Sequence, residues 1–550
     1  MVYYDQKVFV SATFLSKNMF LSGSSQMTAM LRTCVTSTGK FRVGVHRPSY
    51  AVRNLRDQDF LLRLGTLPDG TVVDNQANFP SGDVRETEGR WIYEIPNAFP
   101  CHGATYIDSV WAAARAENPG LIQIEPPPEC SLSQSLGLSE EERRSVLDHL
   151  PLPLKYALAA SSTDPEELIL LAHTCCRMEF NGEGQPVGLK YLRPGKADID
   201  DFELFETIAN NPHLPDQYKE IMVLRPGVQG NSEIIGRYAE DTHVFEYLRR
   251  NSYIPWGHYA ANMAHDAVRY RTSDLTFSDI RGLRHLYYQR MIVTLAERFG
   301  INLDLPKRSL TTDELESLRR KVLTAAEQSG QHPATLWGWN FGYDFSGSGY
   351  RLHASHQMIH QQYALTPEEI ETTDGDAMPS YSCGDQVAEV IAQYGGDFFC
   401  DYLRCIRENK RTDRDPAKER SLIVHEDANM LLFVPKAQTS QWELQLMVIA
   451  DADGQPIGNV LEADAAVRES IDRGILLAQH IFAKLGARMV TSLEYSKRIG
   501  IRNGQRLLYA FLPKLPWSMG AFSEAQHRYI SSHFPEDFAT ACRRQIEHIQ

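Results

Sequence analysis

Leu352-His353-Ala354-Ser355-His356-Gln357-Met358-Ile359-His360 places three histidines within eight residues, directly after a turn-rich run from Gly342 to Gly349. Three imidazoles are costly in an ordinary core strand, because each buried ring needs hydrogen-bond partners. The interleaved Leu, Met and Ile are too apolar for a solvated loop. The stretch therefore reads as a strand beside a functional site. In a strand, residues i, i+2 and i+4 share a face. His353, Ser355 and Gln357 then line one face, and Ala354, His356 and Met358 the other.

Upstream lie Thr335-Leu336-Trp337-Gly338-Trp339-Asn340 and the glycine-rich turn. A long helix is expected from a cap near Ser278 to about Phe299, with Ile280, Leu283, Leu286, Tyr287 and Met291 on one face. Thr311-x-x-Glu314 predicts the cap of a second helix ending near Gly330. Farther along, strands are expected over residues 422–424, 430–434 and 444–449. A long helix over 464–485 and strands over 489–493 and 507–512 follow. Strands, a proline turn, a long helix and closing strands thus occur twice, which predicts a duplicated α+β unit. The division that follows is residues 1–225 as an N-terminal domain of unassigned role, 226–379 as the first repeat and 380–550 as the second.

The N-terminal region starts with strand-like segments at residues 8–15, 41–45 and 91–95. Ser139-x-x-Glu142 predicts a capped helix ending near Leu150-Pro151, and Asp164-Pro165-Glu166-Glu167 opens another through Cys176.

Composition bounds the function. The 550 residues are 43% hydrophobic and 23% charged, which suits a globular protein of two to four domains. A net charge of −14 with no basic run argues against nucleic acid as a partner, since phosphates would be repelled. No segment reaches eighteen apolar residues and no secretion signal is evident, so a membrane partner is not expected and a cytoplasmic location is. Nine cysteines, with no C-x-x-C pair, read as reduced thiols.

The motif order Asn340-x-Gly342, Gly347-Ser348, His353-x-Ser355-x-Gln357 resembles the histidine-triad superfamily, in particular the branch of galactose-1-phosphate uridylyltransferase and dinucleoside-tetraphosphate phosphorylase. That branch reads N-x-G, G-x-S, H-x-H-x-Q. Pro435-Lys436 with Glu443, Gly520-Ala521-Phe522 and Pro535-Glu536-Asp537-Phe538-Ala539 resemble its C-terminal segments. His258, after Pro255, lies where a P-x-x-H turn is found. The resemblance covers residues 230–545. It implies an α+β fold of tandem histidine-triad-like repeats with antiparallel sheets and packed helices, plus an extra N-terminal α/β domain. It also implies nucleotidyl transfer or phosphorolysis on a nucleoside diphosphate compound, a nucleotide sugar or dinucleotide, and a homodimer. In the family a central histidine attacks the α-phosphorus, and a second phosphate collects the nucleotidyl group. The glutamine contacts phosphoryl oxygens, and the glycine-rich turn offers backbone N–H groups to phosphate.

The chain departs from the pattern at the central position, where Ser355 stands. A bulge could turn His356 into the site; Ser355, water or an attacking phosphate could act directly, with His353 as base; or the fold could bind a nucleotide without transferring it. Two other registers are open. Arg351-x-His353-x-Ser355 centres His353, and Met358-x-His360-x-Gln362 centres His360. A hydrolase or lyase using the histidines as acid and base is a further alternative.

Phosphate contacts are expected from Asn340, Gly342, Gly347, Ser348, Arg351, His360 and His258, beside the plainer reading of His258 and Ser348 as turn residues and Arg351 as solvated charge. Trp337 and Trp339, which flank Gly338, could stack a base, beside the commoner reading as buried core aromatics. Residues 411–414 read as solvated charge, and Lys436 as structural. No cofactor is expected. A structural zinc is the minor alternative, because adjacent Cys175-Cys176 with His173 make a poor ligand set.

Overall fold

The computed structural model describes residues 32–56, 61–76, 82–125, 128–193, 196–209, 211, 213–223, 232–237, 245–249, 272–303, 309–342, 360–450, 454–516 and 520–547. The fold is α+β, with two principal sheets. The first contains β1 (Gly44–His46), β2 (Ile92–Pro96) and β3 (Ala104–Asp108) from the N-terminal region. The second is seven-stranded. Its strands are β4 (Ala334–Gly342), β5 (His360–Thr366), β6 (Ile423–Glu426), β7 (Met430–Phe433), β8 (Leu444–Val448), β9 (Met489–Tyr495) and β10 (Leu508–Pro513). They run in the order β5-β4-β9-β10-β8-β7-β6, with every neighbouring pair antiparallel. A late strand, β11 (Arg528–Ser531), returns to the first sheet and pairs with β3 in parallel.

Strand alternation divides the large sheet into two faces, each with its own core. On one face Trp337, Trp339, Phe341, Val490, Tyr509 and Phe511 are buried under two long helices, α1 (Phe277–Arg298) and α5 (Ala465–Lys484). These two helices pack on each other, and α2 (Thr312–Ser329) packs on α1. On the other face Leu431, Phe433, Met447, Leu508 and Ala510 join α3 (Cys383–Tyr394), α4 (Phe398–Arg407) and the N-terminal Ile95, Phe99 and Ile107. The last helix, α6 (Pro535–Ile546), packs against α5 and β6.

The local sequence explains these helices. Asp464 accepts from the Val467 N–H at the start of α5, and Val467, Ile471, Ile475, Ala478 and Phe482 recur at helical spacing on the buried side. The α2 cap is the expected Thr311/Glu314 box, and Gly330 closes the helix in the left-handed region. The cap of α1 is two residues earlier than expected. Thr276 and Asp279 form a reciprocal capping box, which places Ser278 inside the first turn. The Ser139/Glu142 box and the Asp164 cap are also present.

One reading is corrected. Arg411 is not solvated charge: it is 4% exposed and holds Asp537 through two parallel bonds of 2.7 and 2.9 Å. Beside it Lys436, also buried, donates to Glu536 at 2.5 Å and to Asn409 at 3.0 Å. These two ion pairs tie the first turn of α6 to the segment before β6 and to the turn after β7. Among the described residues, no helix is long and apolar enough to cross a membrane.

Candidate functional site

The Asn340-Phe341-Gly342 end of β4 sits at the centre of the candidate site. Trp337, Trp339 and Phe341 fill the helix-covered core, so Gly338 and Asn340 lie on the opposite face. Among the described residues, the second core reaches Leu493 and Ala510 on this face but includes no residue of β4 or β5. Gln362 and Ala364 are exposed, and Asn340 and Thr491 are half-buried. The register aligns His360, Asn340, Thr491 and Leu512 in one row across β5, β4, β9 and β10. The next row is Gln362, Gly338, Leu493 and Ala510. Gly338 has no side chain to fill the space between Gln362 and Leu493. Among the described residues, a Cβ built there would meet nothing nearer than the Ser492 carbonyl oxygen at 4.0 Å.

Asn340 is oriented by the neighbouring strand. The Thr491 hydroxyl donates to Asn340 Oδ1 at 2.6 Å. With its oxygen engaged, the amide has its Nδ2 donors to offer to an acceptor. Gly342 then closes the strand with φ of 104°. A Cβ there would lie 2.1 Å from the Arg488 carbonyl oxygen and 2.6 Å from Thr272 Oγ1. Thr272 in turn donates to that same carbonyl at 3.1 Å. The glycine of the N-x-G motif is thus required both by backbone conformation and by close approach.

The structure brings Asn340, Gly342 and the backbone of His360 together. His258, Gly347, Ser348, Arg351, His353, Ser355, His356 and Gln357 lie outside the described residues. Trp337 and Trp339 are core residues, 4% and 2% exposed. The Trp337 indole donates to Gln361 Oε1 at 2.9 Å, and Gln361 Nε2 donates to the Leu283 carbonyl at 3.2 Å. Gln361 therefore fastens β5 to α1, and of the two adjacent glutamines it is Gln362 that lies on the open face.

Two contributors were not recognised from sequence. Gly338 had a readable signal, because the Trp-Gly-Trp alternation puts both indoles on one face and the gap on the other. Thr491 had none, since it lies 151 residues from Asn340 and meets it only through strand pairing.

Behind the site, on the helix-covered face, is a sealed polar cluster. Arg284 Nε donates to Asp472 at 3.1 Å, and its Nη2 donates to the Tyr288 and Tyr509 hydroxyls, each at 2.9 Å. Tyr287, Tyr509 and Thr335 donate to the Glu494 carboxylate at 2.9, 2.6 and 3.0 Å. Burial pushes Asp472 up to about 6, opposed by Arg284, and pushes Glu494 up as well. The Arg284 guanidinium also lies 4.5 Å over the Trp337 ring. These groups are shut off from the open face by the sheet, so they position β4, β9 and β10 rather than touch a ligand. A cavity of about 310 Å³ at the outer edge of α1, lined by Arg290, Thr294 and Tyr363 among others, is likewise on the helix side.

No family model matches the chain, and no curated protein does. Among solved structures it is similar to a GalT-like protein from Arabidopsis thaliana, at 14% identity over 42% of this chain and 67% of that one, with a TM-score of 0.28. It is similar to a uridylyltransferase, at 14% identity over 44% and 70% of the two chains, with a TM-score of 0.29. It is also similar to an ADP-glucose phosphorylase from Arabidopsis thaliana with bound ADP-glucose, at 15% identity over 42% and 65%, with a TM-score of 0.27.

Proposed function

We propose that this protein is a nucleotidyltransferase or phosphorylase acting on a nucleoside diphosphate compound. The observation that carries the reading is the row His360–Asn340–Thr491, in which Asn340 and Thr491 are half-buried, directly beside the glycine-only turn at Gly342. Such a row offers an amide donor to a phosphoryl oxygen next to a histidine position.

The same register favours Met358-x-His360-x-Gln362 among the three alternatives, because His360 is the position paired with Asn340 and Gln362 lies two residues on, opposite Gly338. In this reading an imidazole nitrogen of His360 forms a bond to the α-phosphorus. The bond from that phosphorus to the bridging oxygen breaks, and the departing phosphate keeps the electron pair. A second phosphate then attacks the same phosphorus and releases the imidazole. Asn340 and Gln362 donate to the phosphoryl oxygens, where negative charge builds up.

The chain arrangement supports a tandem origin for the site. The order helix, strand, strand occurs as α1-β4-β5, with α2 inserted after α1, and as α5-β9-β10. β4 and β9 are antiparallel neighbours, and α1 packs on α5, as two copies related by a twofold axis would. Residues 226–379 then carry the site, and 380–550 form a second repeat whose equivalent face is filled by Tyr495, Leu508 and Ala510 in the second core.

Intact-mass measurement after incubation with ADP-glucose, a UDP-sugar and a dinucleoside tetraphosphate tests this. A nucleotidyl adduct is expected, lost in His360→Ala and retained in His353→Ala, His356→Ala and Ser355→Ala. An adduct that survives His360→Ala overturns the assignment and identifies another register. Tight nucleotide binding with neither adduct nor turnover overturns transfer itself and leaves a binding protein.

A further inference from the structure

Among the described residues, β5 pairs with β4 alone and so forms an edge of the large sheet. Its helix-side residues fasten it to α1. Gln361 does so by donating to the Leu283 carbonyl at 3.2 Å. Two residues on, the Tyr363 hydroxyl accepts from Arg290 Nη1 at 2.6 Å, and the Arg290 guanidinium carbon stands 5.8 Å from the centre of the Tyr363 ring. Beside this second contact the packing opens. The cavity of about 310 Å³ is lined there by Gln289, Arg290, Met291, Val293, Thr294 and Tyr363.

Its walls follow from the local sequence. Arg290, Val293 and Thr294 are spaced i, i+3 and i+4, so they share one face of α1. The Tyr363 ring is backed by Tyr287 at 5.5 Å, and Tyr287 is itself held by its 2.9 Å hydrogen bond to Glu494. The aromatic wall is therefore fixed before any ligand arrives, as small-molecule sites usually are.

The chemistry of the walls indicates the occupant. One guanidinium faces the cavity, and none of the described residues lining it is acidic, in a chain of net charge −14. A guanidinium offers a planar fork of donors that matches the oxygens of a carboxylate or phosphate. Gln361 already ties β5 to α1, so the strand has a fastening that needs no charge. Tyr363, Met291 and Val293 supply an apolar wall beside the cation. At about 310 Å³ the cavity stands at the small end of the roughly 300–1,000 Å³ of ligand pockets, which suits one ring with one charged group better than a nucleotide sugar. We propose that this cavity binds a small organic anion, its carboxylate or phosphate on Arg290 and its ring or apolar body against Tyr363, and that the occupant braces β5 against α1. The proposal does not depend on the nucleotidyl-transfer reading.

Hydrogen exchange of the full chain with benzoate, phenyl phosphate or benzamide tests it. Benzoate and phenyl phosphate carry a ring on the two anionic heads, and benzamide is the uncharged counterpart of benzoate. At least one of the two anions is expected to slow exchange in residues 289–294 and 360–366 several-fold and saturably, and the tighter one names the head group. Arg290→Gln is expected to raise its Kd at least tenfold. Thr294→Trp, which crowds the cavity from an exposed position and leaves the Arg290–Tyr363 contact in place, is expected to do the same. His360→Ala should leave the Kd unchanged, which separates this cavity from the proposed transfer site. Protection by neither anion overturns the proposal, as does protection that persists undiminished in Arg290→Gln or Thr294→Trp. Benzamide that protects as well as the anions overturns the assignment of charge. Protection that disappears in His360→Ala moves the binding to the other face of the sheet and overturns the proposal too.

Discussion

Single residues at the candidate site are constrained from different directions. Gly342 is fixed by its own backbone, with φ of 104° and the Arg488 carbonyl 2.1 Å from where a Cβ would lie. Gly342→Ala is expected to lower unfolding stability by about 3 kcal/mol, the sum of strained backbone and a contact that backbone atoms must yield to. Chemical denaturation measures it, and a loss below 1 kcal/mol would mean that the turn relaxes freely. Thr491 acts on Asn340 instead. Thr491→Val keeps the shape but removes the 2.6 Å hydrogen bond. Stability should fall by only about 1 kcal/mol, whereas the rate of nucleotidyl-adduct formation should fall about tenfold, equivalent to ~1.4 kcal/mol. Thr491→Ser should recover most of that rate. Equal losses in Thr491→Val and Thr491→Ser would mark a packing role rather than orientation of the amide. Asn340 and Gly342 stand out in the sequence through the N-x-G spacing, and His360 through one of the alternative registers, because such spacings are local. Thr491 and Arg411 do not, since the partner that gives each its role, Asn340 and Asp537, lies more than a hundred residues away.

At the scale of elements, capping chemistry and periodicity carried most of the information. The boxes at Thr311 and Ser139 and the cap at Asp464 fall where a reciprocal donor–acceptor spacing requires them. Helices α3 and α4 were not recognised, although Ser382-x-x-Asp385 is a capping box of the same kind and Phe398, Phe399, Tyr402, Cys405 and Ile406 recur at helical spacing. The Gly395-Gly396 break and the dense aromatics obscured two short helices that become stable only by packing on the sheet. The α1–α5 pair has a pH signature. Asp472, buried beside Arg284, is pushed up to about 6, above the ~3.9 of an unfolded aspartate. The folded state therefore takes up a proton that the unfolded state does not between about pH 6 and pH 4. Its contribution to stability is complete below about pH 4 and is lost as pH rises through 6, with a slope of at most ~1.4 kcal/mol per pH unit. The difference in unfolding free energy between wild type and Asp472→Asn, followed from pH 7 to pH 4, should move in favour of the wild type as pH falls. A difference that stays level would show that Asp472 does not titrate in that window.

The whole molecule is stitched together by contacts between distant parts of the chain. Cys34, Val35, Ile95, Phe99 and Ile107 from the N-terminal region share one core with Phe398, Phe399, Tyr402 and Phe433. Thr105 exchanges hydrogen bonds with the backbone of Gln438, donating at 2.8 Å and accepting at 2.7 Å. β11 adds to β3 in parallel, and Gly103 allows it, since a Cβ there would stand 2.0 Å from the His527 carbonyl oxygen. No local pattern announces a parallel pair whose strands are separated by most of the chain, so this organisation could not be read from sequence. It has a direct consequence for fragments. A chain of residues 226–550 keeps the candidate site and the long helices but uncovers the aromatic face of α4 and leaves β11 without a partner. Such a fragment is expected to keep helical circular dichroism, bind a hydrophobic dye strongly and unfold without a cooperative transition. Adding residues 1–225 in trans should restore part of the transition. If the fragment alone unfolds as sharply as the full chain, the shared core is dispensable, and α3 and α4 must hold their places on the sheet without the N-terminal side chains.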